Sequence, residues 1–265
     1  MRTSALLWFG PALASLFFSS AARAETYQVG PDKPYQSIDQ VVDDLEPGDV
    51  VEVDGDATYS GDIHVRPASS GTPQQRIRLR GIRKNGKRPV ISGGSQFGIV
   101  LNGSHFVFEG FEVTGASGFC VVHKGNDVTI RDVSVHDCPN HGVLGTDSES
   151  GSLTMEFVEV YRCGSDLYEH QVYIATDESM YPGSVFRLQH SYIHSANGGN
   201  NVKSRAERNE IYNNWIEDPM FHVLDLIGPD GQDPGLARED SDVVGNVLIQ
   251  RGDYWVARLG GDGTG

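Results

Sequence analysis

A right-handed parallel β-helix, an all-β solenoid, is the fold class this sequence predicts, on three observations. From residue 60 onward short β-rich runs alternate with Gly, Asn, Asp and Ser turns, and no helical period persists. Gly totals 32, as many tight turns require. The runs repeat like with like at an imperfect period, which favours parallel stacking over hairpin pairing.

The period is read at two stations. The first covers residues 108–113, 130–135, 155–160, 188–193, 212–216 and 244–248. Its equivalent apolar positions are Val113, Val135, Val160, Ile193, Ile216 and Leu248, spaced 22, 25, 33, 23 and 32 residues apart. A second station precedes each, at 99–101, 121–123, 143–144, 172–174, 202–204 and 223–226, and recurs after the last at 256–259. The spacings describe a base coil of about 22 residues with loops at 147–151, 175–183 and 229–240 inserted at one corner. No coil buries its apolar face alone, so stacking at ~4.8 Å builds the core.

The N-terminal 24 residues read as a signal peptide. Arg2 supplies the positive region, an apolar run follows, and Ala22-Arg23-Ala24 is a cleavage site. The run is shorter than the ~20 residues a span needs, so no membrane insertion after cleavage is expected, and the destination is secreted or periplasmic. Residues 25–265 form the single β-helix domain. Ser37 reads as an N-cap, and Ile38, Val41, Val42 and Leu45 share one helical face before Pro47-Gly48 stops it. Such a short amphipathic helix would cap the open end of the solenoid. At 255–265 the sequence holds the first strand and turn of a further coil without its return strand, so the domain reads as C-terminally truncated.

Without Arg2 and Arg23 the domain carries 19 basic against 36 acidic residues, a net charge near −17. So acidic a surface excludes nucleic acid and repels anionic lipid. It also repels polyanionic glycans at long range, so a site for an acidic sugar has to be a local basic patch or hold a cation. The expected state is a monomer. Cys138 and Cys163 lie three residues past Val135 and Val160, hence at one position on adjacent coils. They form either a disulfide or two stacked buried thiols, and Cys120 reads as core.

Several segments resemble a known group. Tyr27-Gln28-Val29-Gly30, the Ser37-Ile38 segment, Pro47-Gly48-Asp49-Val50-Val51, Ser70-Gly71-Thr72-Pro73 and Ile77-Arg78-Leu79-Arg80-Gly81 look like the N-terminal cap and first coils of the pectate-lyase-like superfamily. Val202-Lys203-Ser204 with Asn209, Ile211 and Asn214 is similar to the Lys-Ser coil of chondroitinase B and alginate lyase type polysaccharide lyases. The resemblance implies the β-helix fold and cleavage of an acidic polysaccharide. Two departures stand out. That type places an Arg on the coil after the Lys, whereas 223–226 has none and Arg258 comes one coil later. It also carries acidic calcium ligands before the Lys, whereas 195–201 has no carboxylate.

β-Elimination on a uronate polymer needs a base for the C5 proton and positive charge at the carboxylate. Lys203 is the candidate base: with Val202 and Ser204 inward, alternation turns it outward together with Arg205. His170, Gln171 and Tyr173 lie one coil earlier, and His222 and Asp225 one coil later. His170 and His222 are candidate acids, bases or sugar contacts. Tyr173 is a candidate stacking platform, and Gln171, Asn201 and Asp225 are further candidate substrate contacts. Asp166, Glu169, Asp177 and Glu178 either bind calcium or are solvated loop residues. The other asparagines, among them Asn213, Asn214 and Asn246, read as turn architecture. The expected function is thus a secreted polysaccharide lyase acting on an acidic glycan. The alternatives are a glycoside hydrolase using Asp225 and a carboxylate partner, or a non-catalytic glycan-binding or adhesin-like β-helix.

Overall fold

The computed structural model describes residues 24–229, 236 and 240–260. Residues 1–23, on which the signal-peptide expectation falls, most of the 229–240 insertion and the last five residues lie outside the described residues. Within them the chain is a right-handed parallel β-helix of three sheets. Sheet A has nine strands, from Thr26–Val29 to Asp240–Val244. Sheet B has eight, from Thr58–Ser60 to Val247–Ile249, and sheet C has eight, from Ile63–Val65 to Ala257–Leu259.

The predicted ladder is the ladder of sheet B. Val113, Val135, Val160, Ile193, Ile216 and Leu248 are successive partners, each strand parallel to the next. In sheet C the sequence Ile99, Val121, Val143, Val172, Val202 continues to Leu224. Except for Leu248, which is half-buried and packs against their edge, these inward residues are almost wholly buried and meet Phe106, Phe108, Phe111 and Phe186 in one continuous core. Each fully buried aliphatic or aromatic side chain contributes roughly 1.5–3 kcal/mol against solvation. The insertions at 147–151 and 175–183 follow sheet C and precede sheet A, so they lie along one rim of sheet C.

The sheet A to sheet B corner repeats one backbone solution. Gly110, Asp132, Phe157, His190, Asn213 and Gly245 stack there with φ of +84°, +50°, +54°, +51°, +56° and +71°. Inside the same corner Asn246 Oδ1 accepts the Asn214 backbone N–H at 2.9 Å, and Asn214 Oδ1 accepts that of Ser191 at 2.9 Å. These asparagines are architecture, as the turn chemistry predicts.

Two expectations are corrected. The capping segment forms a 3-10 turn over Ile38–Gln40, not a helix through Leu45. Its apolar face survives, for Ile38, Val41, Val42 and Leu45 are all buried. So short a run cannot hold a helix by itself, and Asp39 and Asp43 one turn apart repel. Burial, then the Asp43 charge, raises the Asp39 carboxyl above its ordinary value.

The disulfide joins Cys120 to Cys138, with Cα atoms 5.7 Å apart, and Cys163 is a free buried thiol. Cys138 and Cys163 do occupy stacked positions, but stacked residues project their Cα–Cβ bonds in parallel. A bridge needs bonds that converge, and Cys120, at the start of a sheet C strand, meets Cys138 across the corner. Burial pushes the Cys163 thiol up to about 12, so it is inert. Peptide mapping without reduction is expected to yield a Cys120–Cys138 crosslink, with Cys163 alkylated only after unfolding. Cys138→Ser is expected to cost about 3 kcal/mol, given the 18-residue separation. A Cys138–Cys163 crosslink would contradict the assignment.

Candidate active site on the outer face of sheet C

The outward positions of sheet C form two rows along the helix axis. One row runs His64, Val100, Val122, Leu144, Tyr173, Lys203, Asp225, Arg258. It is apolar at its N-terminal end and ionic at the other. The apolar end floors a depression of about 390 Å³ with Phe97 and Phe119 at one side and Arg66 and Lys124 at the rim.

Lys203 projects outward, as alternation predicts, because Val202 and Ser204 are buried on either side of it. A corner lock holds this strand end. The Ser204 hydroxyl donates to Asn209 Oδ1 at 2.5 Å, and Asn209 Nδ2 donates to Ser241 at 3.1 Å. Thus Ser204 and Asn209 face inward and set the direction of Lys203 and Arg205, which share the half-buried outer face. Lys203 Nζ sits 5.2 Å from the centroid of the Tyr173 ring, one rung earlier, in cation–π contact. Tyr173 meets His141 and His170 edge-on at 5.3 and 5.6 Å. Asp225, one rung later, is buried. Its Oδ2 accepts from Asn200 Nδ2 at 3.0 Å, and its Oδ1 lies 2.8 Å from Arg258 Nε. The outward row therefore places an acid opposite Lys203 and an arginine after it.

The second row borders the first and runs Phe97, Phe119, His141, His170, Asn200, His222, Trp255. From His141 on, each side chain accepts the backbone N–H of the next rung. His141 Nδ1 accepts from His170 at 2.8 Å, His170 Nδ1 from Asn200 at 2.9 Å, Asn200 Oδ1 from His222 at 2.9 Å, and His222 Nδ1 from Trp255 at 3.1 Å. An Nδ1 that accepts leaves the ring proton on Nε2, so these imidazoles are neutral and offer one N–H donor each. Burial, with the proximity of His141 and the Lys203 charge, pushes His170 down to about 3. Burial also takes His141 to about 4, with Lys203 adding to the depression, and lowers His222. His170 and His222 thus line the site as neutral groups.

Gln171 and Asn201 do not reach the groove. Both are fully buried in the sheet B to sheet C corner. Gln171 Oε1 accepts from the Cys163 backbone at 3.1 Å, and Asn201 Nδ2 donates to the Glu217 carbonyl at 2.8 Å. The four acidic loop residues are divided between the two rims of sheet C. Asp177 accepts from the backbone of Glu149 and Met180 at 2.9 and 2.8 Å on one rim, and Asp166 accepts from Tyr168 at 2.8 Å on the other. Among the described residues no three His, Cys, Asp or Glu side chains are placed to hold a metal ion. Asn197, Asn200 and Asn201, where calcium ligands would stand, donate instead to the Arg162 carbonyl, Asp225 and the Glu217 carbonyl. The donor set does not fit calcium.

His141 and Asn200 were not among the sequence candidates. His141, like His170, stands two residues before the valine of its second station, and that phase was the available signal.

This architecture defines a parallel β-helix of the kind found in polysaccharide lyases. No protein-family profile matches the chain, and no curated protein sequence matches it. Among solved structures it is similar to an alginate lyase from Paenibacillus sp. strain FPU-7, with TM-score 0.57 and 14% identity over 89% of this chain and 99% of that one. It is also similar to pectate lyase Pel9A, with TM-score 0.57 and 13% identity over 86% and 79% of the two chains. A rhamnogalacturonan lyase aligns with TM-score 0.51 and 15% identity over 90% of this chain and 63% of its own. At these identities the likeness is one of fold. No helix among the described residues is long and apolar enough to cross a membrane.

The neutral histidines give a pH dependence of known sign. The folded values, about 4 for His141 and about 3 for His170, lie below the ordinary 6.5, as does the value of about 4 for His123, which is wholly buried outside the row with its Nε2 3.2 Å from the Gly151 carbonyl. As pH falls below 6.5 the unfolded chain takes up protons that the fold refuses, so stability is lost on acidification toward pH 4. The slope is on the order of 1 kcal/mol per pH unit per histidine. His170→Asn keeps the acceptor that Asn200 supplies in the same row, so it is expected to fold and to flatten the decline in thermal midpoint between pH 6.5 and 4. An unchanged slope would contradict the neutral row.

Proposed function

We propose that the outer face of sheet C is the active site of a polysaccharide lyase that cleaves a uronate-containing glycan by β-elimination. One observation carries the reading. On a strongly acidic chain, Lys203 and Arg205 project together from one strand, beside an aromatic ring and a row of neutral N–H donors. The Lys-Ser coil points the same way, and its Ser204–Asn209 lock aims the lysine. The lyase fold of the similar structures fits the reading without deciding it.

In the proposed reaction the Lys203 amine removes the C5 proton of the uronate. That C–H electron pair forms the C4–C5 double bond, and the C4–O4 bond breaks. The leaving oxygen takes a proton, which the Lys203 ammonium can return. Arg205 balances the carboxylate charge as it becomes enolate-like, the place where a fixed cation lowers the barrier most. His141, His170 and His222 donate Nε2–H bonds to the polymer without exchanging protons themselves. Tyr173 orients Lys203, and the apolar depression receives the faces of sugars further along the chain. A hydrolase is less well served, because Asp225 is the one carboxylate of the outward row and is engaged by Asn200 and Arg258.

Incubation with alginate, pectate and chondroitin, followed by absorbance of the unsaturated product, tests the reading. A rise with at least one polymer, lost in Lys203→Ala, is expected. New reducing ends without unsaturation, or binding without turnover, would overturn it.

A further inference from the structure

A second surface, on the outer face of sheet B, carries features that the proposed lyase site does not use. Phe157, Tyr192 and Trp215 are 57%, 37% and 47% exposed, although none lies on the last described rung. They surround a shallow depression of about 480 Å³ shared with Glu159, His190, Ser191 and Asn213. Tyr192 and Trp215 are partners on adjacent strands, and Phe157 stacks on His190 at 5.4 Å with planes 17° apart. Tyr192 is fixed from both sides, for its ring stacks on His194 at 3.9 Å and its hydroxyl donates to Glu217 at 2.7 Å.

Phe157 is the unusual member. Its row of corner residues has left-handed backbone throughout, and the equivalents Asp132, Asn213, Gly110 and Gly245 are residue types that tolerate it. A phenylalanine there combines a disfavoured backbone with an exposed apolar ring, and neither helps the fold. An observed backbone outlier of this kind points to function.

We infer that this platform is a glycan-binding site, separate from sheet C, for an uncharged pyranose segment. Flat aromatic rings accept the apolar C–H face of a sugar ring, and Glu159 and Asn213 between them supply acceptors and a donor for its hydroxyls. The Glu159 carboxylate and the net charge of −15 disfavour a uronate here, in contrast to the lysine–arginine face of sheet C. Polar groups interleave the three rings, and so small and broken a patch is unlike the apolar core of a stable protein interface. The inference does not rest on the lyase reading, because binding here is measured without turnover.

Native affinity electrophoresis in gels containing galactan, mannan, xylan or mixed-linkage β-glucan, with polygalacturonate and alginate gels beside them, tests it. The wild-type protein is expected to be retarded by at least one neutral polymer. Trp215→Ala is expected to weaken that retardation about tenfold, as loss of one ring stack would. Phe157→Asn should weaken it too while holding or raising the thermal midpoint, because asparagine suits the backbone that Asn213 adopts in the same row. Lys203→Ala should leave it unchanged. The inference is overturned if no neutral polymer retards the wild type, or if retardation survives both substitutions. It is equally overturned if the wild type sediments as a dimer that Trp215→Ala dissociates, which would assign the platform to a second copy of the chain.

Discussion

Lys203→Ala is expected to lower turnover of the uronate polymer by about 10³-fold or more while leaving the fold intact. The residue is half-buried on the outside of a strand whose inward neighbours, Val202 and Ser204, hold the coil. Among the contacts of the ammonium, the cation–π contact with Tyr173 is worth about 0.5–1 kcal/mol at such a site. The inward residues that hold the coil are untouched, so the thermal midpoint should move little. Lys203→Arg should be almost as inactive, since a guanidinium cannot give up its proton to become a base. Turnover within tenfold of wild type in either variant, measured by unsaturated-product absorbance, would remove Lys203 from the chemistry.

Arg205→Ala is the second large effect. The side chain leaves the same strand on the same face two residues on, about 7 Å along the backbone. If it offsets charge that develops on the carboxylate, its loss should fall chiefly on kcat, by about 10²–10³-fold, with a smaller rise in KM. Arg205→Lys should recover part of the loss, because charge is retained while the paired donors are not. A loss confined to KM would make Arg205 a binding residue. No rescue by lysine together with a large fall in thermal midpoint would make it structural.

The fold was legible because the code for it is local and repeated. Val113, Val135, Val160, Ile193, Ile216 and Leu248 mark inward positions whatever the loops between them do, and the structure stacks them as partners. The outward direction of Lys203 was legible for the same reason, since alternation follows from Val202 and Ser204. What alternation cannot supply is side-chain direction at corners. The Cys120–Cys138 bridge depends on converging Cα–Cβ bonds, and the corner burial of Gln171 and Asn201 depends on where the chain turns. The His141–His170–Asn200–His222 row depends on hydrogen bonds between coils, which treat imidazole and amide as equivalent acceptors. Sequence reading sees three histidines and an asparagine there, and only the geometry makes them one series. The N-terminal cap shows the reverse case: the apolar face was legible but the helix read from it does not form, because burial of Ile38, Val41, Val42 and Leu45 needs only their common side.

A structure of Lys203→Ala with a bound tetrasaccharide of the polyuronate that the wild type degrades tests the central claim most directly. The expected result is a sugar chain lying along the outer face of sheet C, one carboxylate within hydrogen-bonding distance of Arg205 and its C5 facing the space vacated at position 203. An oligosaccharide bound on another sheet, or on sheet C with its carboxylates turned away from Arg205, would contradict it.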